Sequence, residues 1–127
     1  MIVGYGGHMD SGVYIIVLRM PKDRPIRIGR FGRRHFSEGI YFYVGSAQRN
    51  LSARLERHGR KEKTLHWHID YLSMHAEVLG AIIIAGPREV ECQLAARLGK
   101  MFMMAVPGFG ASDCRCGGHL FYTRELP

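Results

Sequence analysis

Long apolar runs are missing from this 127-residue chain, and none approaches the roughly 20 residues that a membrane-crossing helix needs. No segment is therefore expected to span a bilayer. Met1 to Asp10 carries glycines and a histidine where a secretory leader would place a basic stretch and a continuous apolar core. A cytoplasmic location is expected, with residues 1–10 as a flexible tail. Cysteine is scarce: there are 3, an odd number, and Cys114 and Cys116 are too close in sequence to bridge comfortably, which argues against a disulfide framework. Acids are also few, 11 against 18 lysines and arginines, for a formal charge of +7. About 15 of the Arg, Lys and His residues fall between Arg19 and Lys63, and that asymmetry favours a polyanionic partner. Repeats, low-complexity tracts and linkers are absent as well, so the whole of 1–127 reads as a single domain. A chain of this length buries roughly two thirds of its unfolded surface, enough for an ordinary core.

What is present is an α/β pattern. Gly12 to Arg19 (GVYIIVLR) is apolar on both alternating faces, as a central strand must be. Ile26 to Phe31 and Ile40 to Ser46 read as further strands, and the short connections between them favour antiparallel pairing. Asn50 is placed to cap a helix running to His58, with Gly59 to end it. Trp67 to Ser73 reads as a second helix and Val78 to Ala85 as another apolar strand. A third helix then has Pro87 at its first position and Gly99 at its close.

The facing of these helices brings out the chemistry. At 100° per residue, Arg54 and His58 share a side with Leu51 and Leu55, while Ser52, Ala53, Glu56 and Arg57 take the other. On the third helix Glu91 falls with Leu94, Ala95 and Leu98. A charge on the core side of a helix must be neutralised, paired or metal-bound, because leaving it bare costs several kcal/mol, of the order of a lost buried ion pair. One reading is a buried Arg54–Glu91 ion pair with His58 beside it. The other adds Tyr14 and Tyr43 from the strands. Arginine forks onto phosphate oxygens, a carboxylate holds a divalent cation, and histidine or tyrosine moves a proton, which together are the parts for phosphodiester hydrolysis.

The ordered series Gly12-Val13-Tyr14, Tyr43-Val44-Gly45, Arg54 and His58 on one helix, and Glu91 in an ECQLA helix resembles the GIY-YIG nuclease superfamily over about Ser11 to Lys100. HWHIDYL and the stretch from Gly108 to Phe121 are similar to a branch of small stand-alone proteins in it. The resemblance implies an α+β fold, a small antiparallel sheet of three or more strands flanked by helices. It also implies a divalent-metal-dependent endonuclease with Mg²⁺ or Mn²⁺ on Glu91 and a basic concave face for nucleic acid, DNA ahead of RNA. Tyr14 would be the general base, Tyr43 would position water or the scissile phosphate, Arg54 would stabilise phosphate charge, and His58 would help Tyr14 lose its proton. The gap between the two tyrosines is long for the superfamily, so an inserted strand or hairpin is expected around Ile26 to Glu38. Tyr41 lies on the same strand face as Tyr43, but the Val44-Gly45 that follows selects Tyr43.

Cys114, Cys116 and His119 form a second candidate set, for Zn²⁺, with His66 or His68 as a fourth ligand, although C-x-C-x2-H is not a standard zinc spacing. Asp113 reads as a turn residue, and His66 and His68 as packing or phosphate-backbone contacts. Two other function classes accompany the nuclease reading: a non-catalytic nucleic-acid-binding module using the same residues, and a zinc-stabilised scaffold.

Overall fold

Two strands that bury both faces set the architecture. In the computed structural model, which describes residues 2–3, 10–65, 67–110 and 117–126, β2 (Gly12–Met20) pairs antiparallel with β5 (Gly39–Ala47) along its whole length. Its other edge pairs antiparallel with β6 (Glu77–Ile84), the register shifting between Val17 and Leu18. The sheet continues from β5 to β8 (Leu120–Thr123) and β7 (Met103–Met104), both antiparallel, while β1 (Ile2–Val3) adds to β6 in parallel. The fold is therefore α+β, with an antiparallel sheet of five strands and one short parallel addition. Of the expected N-terminal tail, Ile2 and Val3 are thus strand residues, because the open edge of β6 offers them unpaired backbone groups. Residues 1 and 4–9 lie outside the described residues.

The pleat divides the core in two. Tyr14, Ile16, Leu18, Tyr41 and Tyr43 face α1 (Leu51–Gly59) and α2 (His68–Ser73), where Leu51, Leu55, Ile69 and Leu72 meet them. Val13, Ile15 and Val44 face the other way, onto Ala95 and Leu98 of α3 (Glu89–Met101) and Phe121 of β8. Helices thus cover both faces, and the double burial of β2 explains its unbroken apolar sequence.

The long link between β2 and β5 folds as a separate two-stranded ribbon, β3 (Arg24–Arg27) with β4 (Arg33–Phe36), which is the expected inserted hairpin. A continuous strand from Ile26 to Phe31 does not form. Gly29 takes φ 44°, and Phe31 N–H donates to Ile28 O, so residues 29–31 make a tight 3-10 turn at the ribbon tip.

Helix ends differ from the sequence reading in three places. Asn50 provides no side-chain cap and sits in the left-handed region, φ 57°. Asp10 caps α1 instead, its carboxylate accepting from Asn50 N–H and its carbonyl from Leu51 N–H, each at 3.0 Å. Gly59 stays helical, because the orphan carbonyls of Arg57 and His58 accept from the Lys63 ammonium and no glycine stop is needed. Likewise α3 starts at Glu89, two residues after Pro87, and runs through Gly99 to Met101; Gly99 lies against Phe121, where a Cβ would be 3.4 Å from its ring. No helix among the described residues is long and apolar enough to cross a membrane.

Candidate active site

The far ends of β2 and β5 open into a cavity of about 560 Å³ whose wall includes Tyr14, Tyr43, Arg54 and Glu91. Two residues bring the two helical layers to that wall. Gly45 lies directly across from Tyr14 in the ladder, and a Cβ there would be 2.6 Å from both Tyr14 Cζ and Oη. Only glycine leaves room for the phenol to lie flat over the strand. Gly45→Ala is therefore expected to lower stability by about 1 to 3 kcal/mol, the usual range for overpacking, and to displace Tyr14; an unchanged melting temperature would contradict this.

Ser46 joins the helices. Its carbonyl accepts from Arg54 Nη1 at 2.6 Å, and its hydroxyl donates to Glu91 Oε2 in a short hydrogen bond. The other Glu91 oxygen, Oε1, lies 3.0 Å from His119 Nδ1. An Arg54–Glu91 ion pair does not form; each residue is held by Ser46 from opposite faces of the sheet. Burial alone would raise the Glu91 carboxyl, but hydrogen bonds from His119 and Ser46, with the charges of His119 and Arg88, hold it below the ordinary carboxylate range. Glu91 is thus ionised at neutral pH on a partly exposed wall.

Tyr14 and His58 form the second half. Tyr14 Oη is 3.0 Å from His58 Nε2 in a buried contact, and the Tyr43 ring stands edge-on to the same imidazole at 6.2 Å between centroids. Burial pushes both phenols up, against the lowering charge of Arg54. His58 goes the other way. Burial pulls it down to about 4, helped by Lys63, Arg57 and Arg54 and opposed by Asp70, so the ring is neutral above that pH. His58 Nδ1 is buried with no hydrogen-bond partner among the described residues.

This has a consequence for stability. The folded state holds the His58 proton only below about 4, whereas the unfolded chain takes it up near 6.5. As pH falls through that window the unfolded state binds the extra proton, and about 3 kcal/mol of stability is expected to be lost. Melting temperatures of wild type and His58→Gln between these pH values check it: the variant should give the flatter profile, and parallel profiles would sink the assignment.

A cationic stack borders the cavity. The guanidiniums of Arg54 and Arg57 lie over the Trp67 ring, 4.7 and 4.6 Å from its centroid. Arg57 is fixed in turn by a bidentate pair with fully buried Asp70, at 2.7 and 2.9 Å, whose carboxylate also takes Trp67 N–H at 2.8 Å. Arg49 and Arg88 add two more cations to the wall.

All five expected residues, Tyr14, Tyr43, Arg54, His58 and Glu91, thus gather at one place. Tyr41 does not join them: its hydroxyl donates to Ser37 O and its ring packs on Phe36 and Tyr122. His68 is a packing residue, set between Phe31 and Phe109 with Nδ1 accepting from Gly110 N–H. Of the zinc set, His119 places Nδ1 3.0 Å from Glu91 Oε1, and Cys114, Cys116, Asp113 and His66 lie outside the described residues. Cys92, one residue after Glu91, is disulfide-bonded, which corrects the expectation of a chain without disulfides. The sequence reading missed Ser46, Trp67, Arg57, Asp70 and the role of His119. Only the HWHID stretch carried a signal, a lone indole beside an acid near two helix arginines.

One family model matches this chain, Domain of unknown function DUF123, over residues 13–127. The match includes every site residue named above, and the chain belongs to that family. Neither the curated proteins nor the solved structures contain a match to it.

Proposed function

We propose that the protein is a divalent-metal-dependent endonuclease of the GIY-YIG type that hydrolyses phosphodiesters in DNA. The observation that carries this reading is the Tyr14–His58 contact of 3.0 Å, opening onto a cavity that also holds Tyr43, Arg54 and ionised Glu91. A phosphodiester drawn in by Arg49, Arg54 and Arg88 meets a carboxylate on one side and a phenol–imidazole pair on the other. Arg54 offers its remaining guanidinium N–H groups to the non-bridging oxygens, because Ser46 O uses only one of them.

The donor set fits a magnesium-type ion in one specific way. Ser46 and His119 each address one Glu91 oxygen, which leaves a lone pair free on each. Among the described residues no three His, Cys, Asp or Glu side chains form a protein-only cage. Glu91 would hold Mg²⁺ or Mn²⁺ alone, with phosphate and water completing the shell, the manner in which Mg²⁺ is commonly bound. Such an ion supplies charge neutralisation at the phosphate and a lower pKa for water.

Within the chain, Tyr14 is the general base candidate, and its difficulty is plain: burial raises the phenol above its ordinary range. Neutral His58 stands at hydrogen-bond distance as the proton acceptor, although burial weakens it as a base, and Arg54 is the group that stabilises the phenolate. Phosphate charge near Arg54 offsets one of the cations that lower His58 and so strengthens the acceptor. Tyr43 packs beside both and orients water or phosphate with its hydroxyl. The raised phenols also favour a second reading, a nucleic-acid-binding module in which both tyrosines stay protonated and only hold phosphate.

Cleavage of single-stranded, duplex and branched DNA and RNA in Mg²⁺ or Mn²⁺ separates the two. Wild type should cut, Tyr14→Phe should fall by about 10² to 10⁴, the range for loss of a general base, and both should bind the substrate equally. Salt-dependent binding without cutting by pure wild type would select the binding module.

A further inference from the structure

The inserted ribbon carries a set of cations for which the cavity has no use. Arg27 and Arg33 stand directly opposite each other in the β3–β4 ladder, and Arg30 sits at the tip. All three are exposed, and none has an acidic partner among the described residues. Arg34 follows on the same strand, its guanidinium donating to the Arg33 carbonyl. Like charges directly across a ladder destabilise it, so an isolated ribbon would not favour this pairing. An anion lying across the two arginines removes the penalty.

The ribbon is also a fixed element. Phe36 at its base, Ile26 along its length and Ile28 next to its tip are all buried, so the arginines project from an anchored platform. Its tip abuts the cavity wall. The Phe31 ring lies 4.6 Å from His68, His68 accepts from Gly110 N–H, and Gly110 and Trp67 both line the cavity. A nucleic acid held at Tyr14 and Glu91 therefore passes close to the ribbon on leaving the cavity.

We propose that the β3–β4 ribbon is a phosphate-gripping arm that holds a double-stranded flank of the nucleic acid beside the cavity, a role resting on the reading above. Duplex is preferred to single strand on the chemistry presented. Single-strand grooves interleave cations with exposed aromatic rings on which bases stack. Here the two phenylalanines of the ribbon turn inward, Phe36 into the core and Phe31 onto His68, so the outward side carries four guanidiniums and a single ring, the imidazole of His35, in place of a row of stacking aromatics. A two-stranded β-ribbon also has the width to enter a major groove, and arginines along it reach the phosphates of both rims.

The test uses the full chain with Arg27, Arg30 and Arg33 all changed to Ala, and a second variant with the same three changed to Lys. Affinity for a labelled DNA duplex of about 20 base pairs and for one of its single strands is measured by anisotropy over a NaCl series. The alanine variant should bind duplex at least about 30-fold more weakly with a salt slope shallower by about 2 to 3, and single strand within about threefold of wild type. The lysine variant should keep the wild-type salt slope, which shows that charge and not unfolding is responsible. Unchanged duplex affinity and slope in the alanine variant overturns the arm, as do equal losses on both strands, or binding to phosphatidylserine vesicles with none to duplex. Cleavage scored on the same DNA separates the two ideas. Wild type that needs the arm to bind duplex but cuts nothing fails the nuclease reading alone, whereas wild type that cuts, beside an alanine variant with full duplex affinity, fails the arm alone.

Discussion

Glu91→Gln is expected to lower metal-dependent cleavage by at least about a thousandfold while leaving affinity for nucleic acid close to that of wild type. The amide keeps the shape of the carboxylate and can still accept from Ser46 Oγ, so the joint between β5 and α3 survives. What disappears is the negative charge, the one feature of this residue that a divalent cation requires. Stability should move by no more than about 1 kcal/mol, the scale of one altered hydrogen bond. Glu89→Gln is the control, since Glu89 lines the same cavity as an exposed residue without the Ser46 and His119 contacts, and it should retain activity. The measurement is single-turnover cleavage under saturating Mg²⁺ or Mn²⁺ with anisotropy binding in parallel. Cleavage by Glu91→Gln within about tenfold of wild type would show that the acid is structural, because removal of a metal-holding charge cannot be so mild.

The largest loss of stability is expected from Asp70→Ala. Asp70 is fully buried and takes two hydrogen bonds from Arg57 and one from Trp67 N–H, with Lys63 Nζ at 4.0 Å. The Lys63 side chain is only 3% exposed, and burial lowers its ammonium to about 8 even with Asp70 present. Removing the carboxylate strands two cations at once, a change that typically costs about 3 to 5 kcal/mol. For a domain of this size that corresponds to a fall of roughly 10 to 20 °C in melting temperature. The exposed Arg60–Glu56 pair on α1 gives the contrast, as Glu56→Ala should shift stability by less than about 0.5 kcal/mol. A melt of Asp70→Ala within about 2 °C of wild type would mean that the network is not a structural support.

The features legible in the sequence are those set by short-range periodicity. The apolar run of β2 gives a doubly covered strand, the Leu51–Leu55 stripe puts Arg54 and His58 inward, and the same reasoning places Glu91 on the inner side of α3. These three facts turn Tyr14, Arg54, His58 and Glu91 toward the sheet, and the apolar run of β5 does the same for Tyr43. The rest depends on contacts between distant segments. Asp10 caps a helix 40 positions away, and Ser46 meets Glu91 at a separation of 45. The contact of His119 with Glu91 joins the start of β8 to α3 across 28 positions, and the nearby Cys114 and Cys116 gave no hint of it. Strands such as β1 and β7, two residues each, have no period to read and exist only because a neighbouring edge is open.

Trp67 is the one tryptophan of the chain, and it stands at the cavity wall with two guanidiniums on its ring. Indole emission responds to charge and to water at the ring, and here the ring is flanked by Arg57 and by the same Arg54 that would turn toward a phosphate. The protein therefore carries its own optical probe: an anion entering the cavity would be reported by intrinsic fluorescence, without a label and without waiting for any bond to break.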